Sequence, residues 1–353
     1  MSISQLLDAA GALVDRGTTP ACQLAVARDD ELLCFETFGA ATNDTRFCVF
    51  SATKPIVASA VWLLIGEGLL DLTRPVSHYI PEFATNGKEH LTVEQVLLHT
   101  SGFPNAPMDP IEGADTVTRI KRFMEWELEW EPGSRFEYHA LSAHWVLAEL
   151  IERLTGEGED FRDVVEARVC EPLGLPRLLG IPEEEQGDIA VGVRLGEAAT
   201  TNPVNVDTLK FNEPAVRAAG VPGGGAFMTA ATMARFYQAL LHNPGGVWDA
   251  GVLADATTNI RCRYPDPRMN VAVNRTIGLV VAGDDGLHQF RYAMLGKDNS
   301  PEAFGHAGAH SQVAWADPAT GTSFAFLKNG LQMDMLADAV DVLALSDLAA
   351  ALR

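Results

Sequence analysis

The sequence predicts a mixed α/β (α+β) chain whose sheet is assembled from both ends of the polypeptide, with a helical segment inserted between them. Three observations carry this. Compact apolar runs at 22–28 and 32–38 read as strands. Three further runs, 277–282, 312–316 and 323–327, read the same way but come only in the last quarter of the chain. Between the two groups, residues 76–204 carry helical patterns broken by turns. The expected division is a sheet unit of 1–75 and 205–353 and a helical unit of 76–204.

Composition sets the class. The chain has 353 residues, 47% hydrophobic and 21% charged, which is ordinary for a globular protein and ample for a core without disulfide or metal staples. Lys and Arg number 26 against 47 Asp and Glu, a net charge of −21. That balance lacks the basic footprint of a nucleic-acid binder, and an anionic membrane surface repels it. Five cysteines, an odd number with no CxxC pair, argue against a zinc ribbon or a disulfide scaffold and read as small buried hydrophobes. The opening residues form an amphipathic stretch with Asp8 and Asp15 rather than a basic patch and an apolar block, so a cytoplasmic protein is expected. The most apolar run, 56–65, is too short to span a bilayer.

The elements follow in order. A first helix leads into the strand at 22–28, a turn at Asp29-Asp30, and the strand at 32–38. Ser51 is expected to open a helix that runs through Pro55 to Glu67, with Pro55 in the first turn, where its missing N–H is harmless. This helix is apolar on nearly every face, so it belongs in the centre of the protein. Turns at 100–102, 131–133 and 155–158 punctuate the helical unit, and 145–154 has helical apolar spacing. Pro222-Gly223-Gly224-Gly225 forms a tight loop before a helix at 230–241. After the three late strands, 333–353 reads as a closing helix.

Most chemical motifs are missing. No GxSxG elbow occurs; Gly321-Thr322-Ser323-Phe324-Ala325 is the nearest miss and lies inside an expected strand. His306 and His310 have helical metal spacing, but Gly305 and Gly308 argue against a helix there. The glycines at 223–225 are not followed by Lys-Ser or Lys-Thr, so a phosphate loop is not supported. One local pattern stands out. Of six lysines, only Lys54 has a serine three residues before it, in Ser51-Ala52-Thr53-Lys54. That spacing puts both on one helix face, and Ser51 at a helix start feels the positive end of the dipole. Lys54 in an apolar helix is desolvated, which lowers a lysine pKa and makes it a usable base for a serine nucleophile.

Phe50-Ser51-Ala52-Thr53-Lys54 resembles the nucleophile motif of the serine β-lactamase and penicillin-binding-protein superfamily. Four more elements follow in the same order. Leu97-Leu98-His99-Thr100-Ser101-Gly102 resembles its helical-domain turn. Pro132-Gly133-Ser134-Arg135-Phe136-Glu137-Tyr138 resembles the approach to its Tyr-x-Asn motif. Pro222-Gly223-Gly224-Gly225 through Arg235-Phe236 resembles its glycine-rich return to the sheet. Gly305-His306-Ala307-Gly308 before Trp315-Ala316-Asp317-Pro318 resembles the third motif, usually Lys-Thr-Gly. The resemblance spans about residues 20–330 and is closest to the class C β-lactamase-like branch, including the family VIII carboxylesterases.

The resemblance implies a β-lactamase/transpeptidase-like fold, with an antiparallel sheet flanked by helices, an inserted all-helical domain and the active site between them. It implies Ser51 as nucleophile, Lys54 and Tyr138 as proton carriers, the amides of Ser51 and Ala309 as oxyanion hole, and His306 and Gly308 as substrate-binding residues. No metal or organic cofactor is implied, and the partner is a small-molecule ester. Two departures bear on substrate. Ala140 stands where the motif has Asn, and His306 where it has Lys. A histidine, partly neutral at pH 7, is a weaker carboxylate anchor. Both changes favour short-chain neutral esters over β-lactams. A D-amino-acid peptidase or DD-peptidase, a β-lactamase or an acyltransferase on the same scaffold are the alternatives, and an inactive binding protein is the alternative from another class. His139 and His144 are expected to pack or to sit at the rim. Phe103, Trp126, Trp130 and Phe304 are each read as core packing in preference to the lining of an acyl or alcohol pocket, and 125–131 as a solvated face.

Overall fold

The computed structural model describes residues 1–156, 158–196 and 207–352. Strands β1 (Ala21–Arg28) and β2 (Glu31–Gly39) form an antiparallel hairpin. Asp29 and Asp30 turn it with φ of 51° and 65°, the left-handed pair that suits the twist of two strands. The other edge of β1 pairs with a strand from the far end of the chain: Cys22 faces Lys328 and Arg28 faces Thr322. Eight more strands complete the set: β3 (Phe47–Cys48), β4 (Val193–Leu195), β5 (Phe227–Met228), β6 (Val280–Val281), β7 (Phe304–Gly305), β8 (Val313–Asp317), β9 (Thr322–Lys328) and β10 (Gly330–Gln332). The main sheet has the order β2-β1-β9-β8-β7-β6, antiparallel throughout. β3 pairs with β5, and β4 with β10.

Alternation along β1 explains its unbroken apolar run. Cys22, Leu24 and Val26 join one core, with Trp315, Phe324 and Phe326 and the helices α1 (Ile3–Asp15) and α5 (Met335–Ala350). Ala21, Ala25 and Ala27 face the larger core on the other side, against α4 (Ala230–His242) and α2 (Lys54–Gly66). With helices on both faces, neither side of the strand meets water. The larger core also holds Trp145 and Leu150 of α3 (Ser142–Thr155), so it is continuous with the helical segment. There, buried Arg119 donates to Glu149 at 2.6 Å and pairs with Glu152, tying the helix Thr116–Glu125 to α3.

The antiparallel sheet, the both-ends assembly and the buried central helix match the expected fold. Several details differ. Ser51 lies in a 3₁₀ turn, Phe50–Thr53, and the α-helix begins at Lys54, with Pro55 in its first turn. The expected strand at 277–282 shrinks to β6. Gly278 has φ +143°, and Trp62 Nε1 donates to the Ile277 carbonyl at 2.8 Å, so this segment serves α2 rather than a ladder. The expected boundary at 204/205 lies outside the described residues, as do Glu157 of the expected turn and Arg353 of the closing helix. Among the described residues no helix is long and apolar enough to cross a membrane.

Candidate active site

The segment before α2 is pinned to β5. Val49 N–H donates to Ala226 O, and Ala226 N–H donates to Thr53 Oγ1, both at 3.0 Å. Phe50 takes φ +44°, which throws the next residue outward: Ser51 is partly exposed while Phe50, Ala52, Thr53 and Lys54 are buried. Lys54 Nζ lies 3.2 Å from Ser51 Oγ and 2.7 Å from each of two carbonyl oxygens, Ala140 and Gly223. Carbonyls only accept, so two N–H bonds are committed to them. A neutral amine then has one lone pair left, and Ser51 is its remaining neighbour. Burial first, and then the Arg275 charge, hold the Lys54 pKa well below its ordinary value. Gly223 packs closely on the partner loop: a Cβ there would sit 3.1 Å from Ala140 O and 3.2 Å from Leu141 Cα, tight enough to press on the two loops that hold the amine.

Tyr138 stands on the same lysine, with Nζ 5.0 Å from its ring centroid. Its ring is sandwiched between His99 at 4.9 Å and Tyr292 at 4.7 Å, each tilted by only 14°. The Tyr138 hydroxyl is buried and makes no hydrogen bond of ordinary geometry. Burial pushes the phenol up to about 12, while nearby Ser51 and Arg275 favour its anion. His99 has φ +57°, and its Nδ1 accepts the His139 N–H at 2.9 Å.

His306 follows β7, and its N–H donates to Ala314 O at 3.1 Å. The imidazole is fully buried, and Nδ1–H donates to Ala307 O at 2.7 Å, leaving Nε2 as an unpartnered lone pair. Burial, with help from the Arg275 charge, keeps the ring neutral, so the partial charge expected of it is absent. Gly308 is a close-approach glycine: a Cβ would lie 2.1 Å from the Val49 carbonyl oxygen. That contact sets the third-motif segment against the turn carrying Ser51. The resemblance puts Ala309 on the strand after the third motif; it stands instead in an irregular turn, Ala309–Ser311, in which His310 and Ser311 adopt left-handed φ of 53° and 57°. The amides of Ser51 and Ala309 donate to no carbonyl outside their own turns among the described residues.

Other expected residues fall elsewhere. His139 and His144 are fully or nearly fully buried, not at a rim. Ser101 Oγ lies 2.9 Å from His139 Nε2, whose Nδ1–H donates to Glu137 O. This serine–histidine pair has no exposed surface, so no substrate reaches it. Ser323 is equally buried and donates to Ala234 O. Phe103, Trp126 and Phe304 are core residues, while Trp130 is half-buried under Arg135. The acidic side chains at 125, 127, 129 and 131 are exposed. His310 turns to Thr208 and Gln332 rather than to His306, and no metal-binding cluster occurs among the described residues. Arg275 and Tyr292 escaped the sequence reading, since neither lies in a motif and only the fold brings them to Tyr138.

Comparison with known proteins gives the family. Residues 6–347 match the sequence profile of the Beta-lactamase family. The chain is 27% identical to Esterase/beta-lactamase LipL of Mycobacterium tuberculosis over 82% of its own length and 70% of the relative's. It is 30% identical to Esterase EstB of Burkholderia gladioli over 65% and 67%. A penicillin-binding protein homolog from Caulobacter crescentus has the same fold, with a TM-score of 0.80 at 23% identity over 98% of this chain and 97% of that one. With its profile match running almost from end to end, the chain belongs to the Beta-lactamase family.

Proposed function

We propose that this chain is a serine hydrolase cleaving small-molecule carboxylic esters, short-chain ones best, through an acyl-enzyme on Ser51. The observation that carries the reading is the buried Lys54 amine, 3.2 Å from Ser51 Oγ and held at 2.7 Å by two carbonyls; in its neutral form its lone pair is free for the Ser51 proton. Ser51 Oγ attacks the ester carbonyl carbon, and its proton passes to Lys54 with Tyr138 as relay. The oxyanion faces the amides of Ser51 and Ala309. The bond to the leaving alkoxide breaks, and the alkoxide takes the proton. Water then attacks the acyl carbon by the same route, returning Ser51 and releasing the acid. No metal or organic cofactor enters the scheme. The helical segment 76–204 supplies Tyr138 and Ala140, and the sheet segments supply the rest, so the site lies between two units. Two relatives carry the word esterase in their names, which supports the ester reading.

The name of one relative also includes beta-lactamase, which makes β-lactam hydrolysis the second reading. Neutral His306 weighs against it, because an imidazole lone pair repels a carboxylate. Intact-mass measurement after brief exposure to p-nitrophenyl acetate, p-nitrophenyl butyrate and nitrocefin tests the proposal. An acyl adduct from the esters, absent in Ser51→Ala, is the expected result. No adduct and no turnover with any ester overturns it.

A further inference from the structure

Arg275 brings a guanidinium into the interior with 1% of its surface exposed. Its backbone is fixed in a hairpin: its N–H donates to Cys262 O at 3.0 Å, and its carbonyl accepts from Arg261 and Cys262. Its Cζ is 5.9 Å from the Tyr138 ring centroid. Nε and Nη1 make no hydrogen bond, and among the described residues no carboxylate pairs with the side chain. The groups that favour its charge are Tyr138, Cys262 and Tyr292, none of them an acid that ionises near neutrality. A buried charge without a counter-charge is costly, and such costs concentrate at functional sites.

We propose that Arg275 is a positioning residue acting through Lys54 and Tyr138: its fixed cation opposes a proton charge on Lys54 and offers a counter-charge to Tyr138 when that hydroxyl gives up its proton. The inference rests on the reading of Lys54 as the base. The neighbours support it. His99, His139, His144 and His306 surround Lys54 and Tyr138 and are all held neutral by burial. Three charged groups remain near the ring stack. Arg268 acts on Tyr138 and Tyr292, and Asp266 on Tyr292, but of the three only Arg275 acts on Lys54. The geometry agrees: Arg275 Cζ lies 5.9 Å and Lys54 Nζ 5.0 Å from the same Tyr138 ring centroid, so both side chains meet at one phenol.

The test is the pH dependence of kcat/KM for p-nitrophenyl butyrate in the wild-type chain, Arg275→Met and Arg275→Lys. Removing the cation lets Lys54 hold its proton to higher pH. In Arg275→Met the acid limb is expected to move up by about one pH unit, with about a tenfold loss below the limb and little change in KM. Arg275→Lys keeps the charge and should restore the limb, which a packing role would not do. If Arg275→Met does not fold, Arg275→Gln gives the same contrast with Arg275→Lys. An acid limb at the same pH in the uncharged variant overturns the inference, whatever the amplitude. Fluorophosphonate labelling of the wild type separates the two levels. Labelled Ser51 with an unmoved limb removes only the role of Arg275, whereas an unlabelled Ser51 removes the hydrolase reading and this inference together.

Discussion

Lys54 Nζ stands 2.7 Å from the carbonyl oxygen of Ala140, the same distance that it keeps from Gly223. Two main-chain oxygens thus grip the amine where a side-chain amide at position 140 is missing. Because a backbone carbonyl cannot rotate away, the direction of the third bond, toward Ser51, is set by the loops themselves.

Replacing the nucleophile comes first. Ser51→Ala should lower ester turnover by about a thousandfold or more and leave the melting temperature near that of the wild type, since Ser51 is partly exposed. Peptide mapping of a fluorophosphonate adduct checks the assignment. An adduct on Ser101 or Ser323 would sink it.

Proton transfer gives the second expectation. Lys54→Arg should be nearly inactive at every pH, because a guanidinium keeps its proton. Tyr138→Phe should lose about 100-fold to 10,000-fold. In the wild type the Lys54 pKa is depressed, so activity should persist at neutral pH and fall only as acid protonates Nζ. A rate that falls from pH 10 toward pH 8 would show an ordinary lysine and contradict the geometry.

These residues differ in how legible they were. Ser51 and Lys54 are three apart, so helical spacing alone relates them. Tyr138 was found from its place in an ordered series of motifs. Arg275 and Tyr292 were not found, because their meaning is a stack and a 5.9 Å approach made by tertiary packing. The strand expected through Ala309 failed for a local reason: left-handed φ at His310 and Ser311 cannot be read from residues that usually avoid it. The sheet from both ends was legible because apolar runs of strand length need only local pattern, while the pairing of β1 with β9 joins residues about 300 apart and is visible only in the fold.

Gly308→Ala tests the contact between the third-motif segment and the nucleophile turn. The added methyl meets the Val49 carbonyl at 2.1 Å, so the segment must shift. A stability loss of about 1–3 kcal/mol in urea unfolding is expected, with a larger fractional loss of kcat/KM. Unchanged activity would mean that Ala309 does not need this placement.

A buried pair away from the site offers a stability test. Lys328 and Asp338 form an ion pair with about 1% exposure on each side chain, joining β9 to α5. Asp338→Ala should cost about 3–5 kcal/mol by stranding the lysine charge. Adding Lys328→Met should recover most of it. Urea midpoints of the two variants decide, and no recovery would mean that Asp338 acts through something other than its charge.

Substrate class gives the last expectation. With His306 neutral, the ratio of kcat/KM for nitrocefin over p-nitrophenyl butyrate should be far below one. His306→Lys restores a donor worth about 1.5–3 kcal/mol to a carboxylate. The ratio should then rise by about 10-fold to 150-fold. A wild-type preference for nitrocefin would put the β-lactamase reading in place of the esterase.

The pairing of β1 with β9 has a consequence for the birth of the protein. The strand at Ala21–Arg28 leaves the ribosome about 300 residues before its partner at Thr322–Lys328 exists. At about 5–20 residues per second, that is a wait on the order of 15–60 s with one edge of an apolar hairpin unpaired. Until the final strands arrive, the exposed edge is a template for any other nascent chain. A message truncated shortly before residue 322 would therefore yield more than an inactive enzyme. It would yield a chain whose β1 edge has no partner strand and stays open to aggregation.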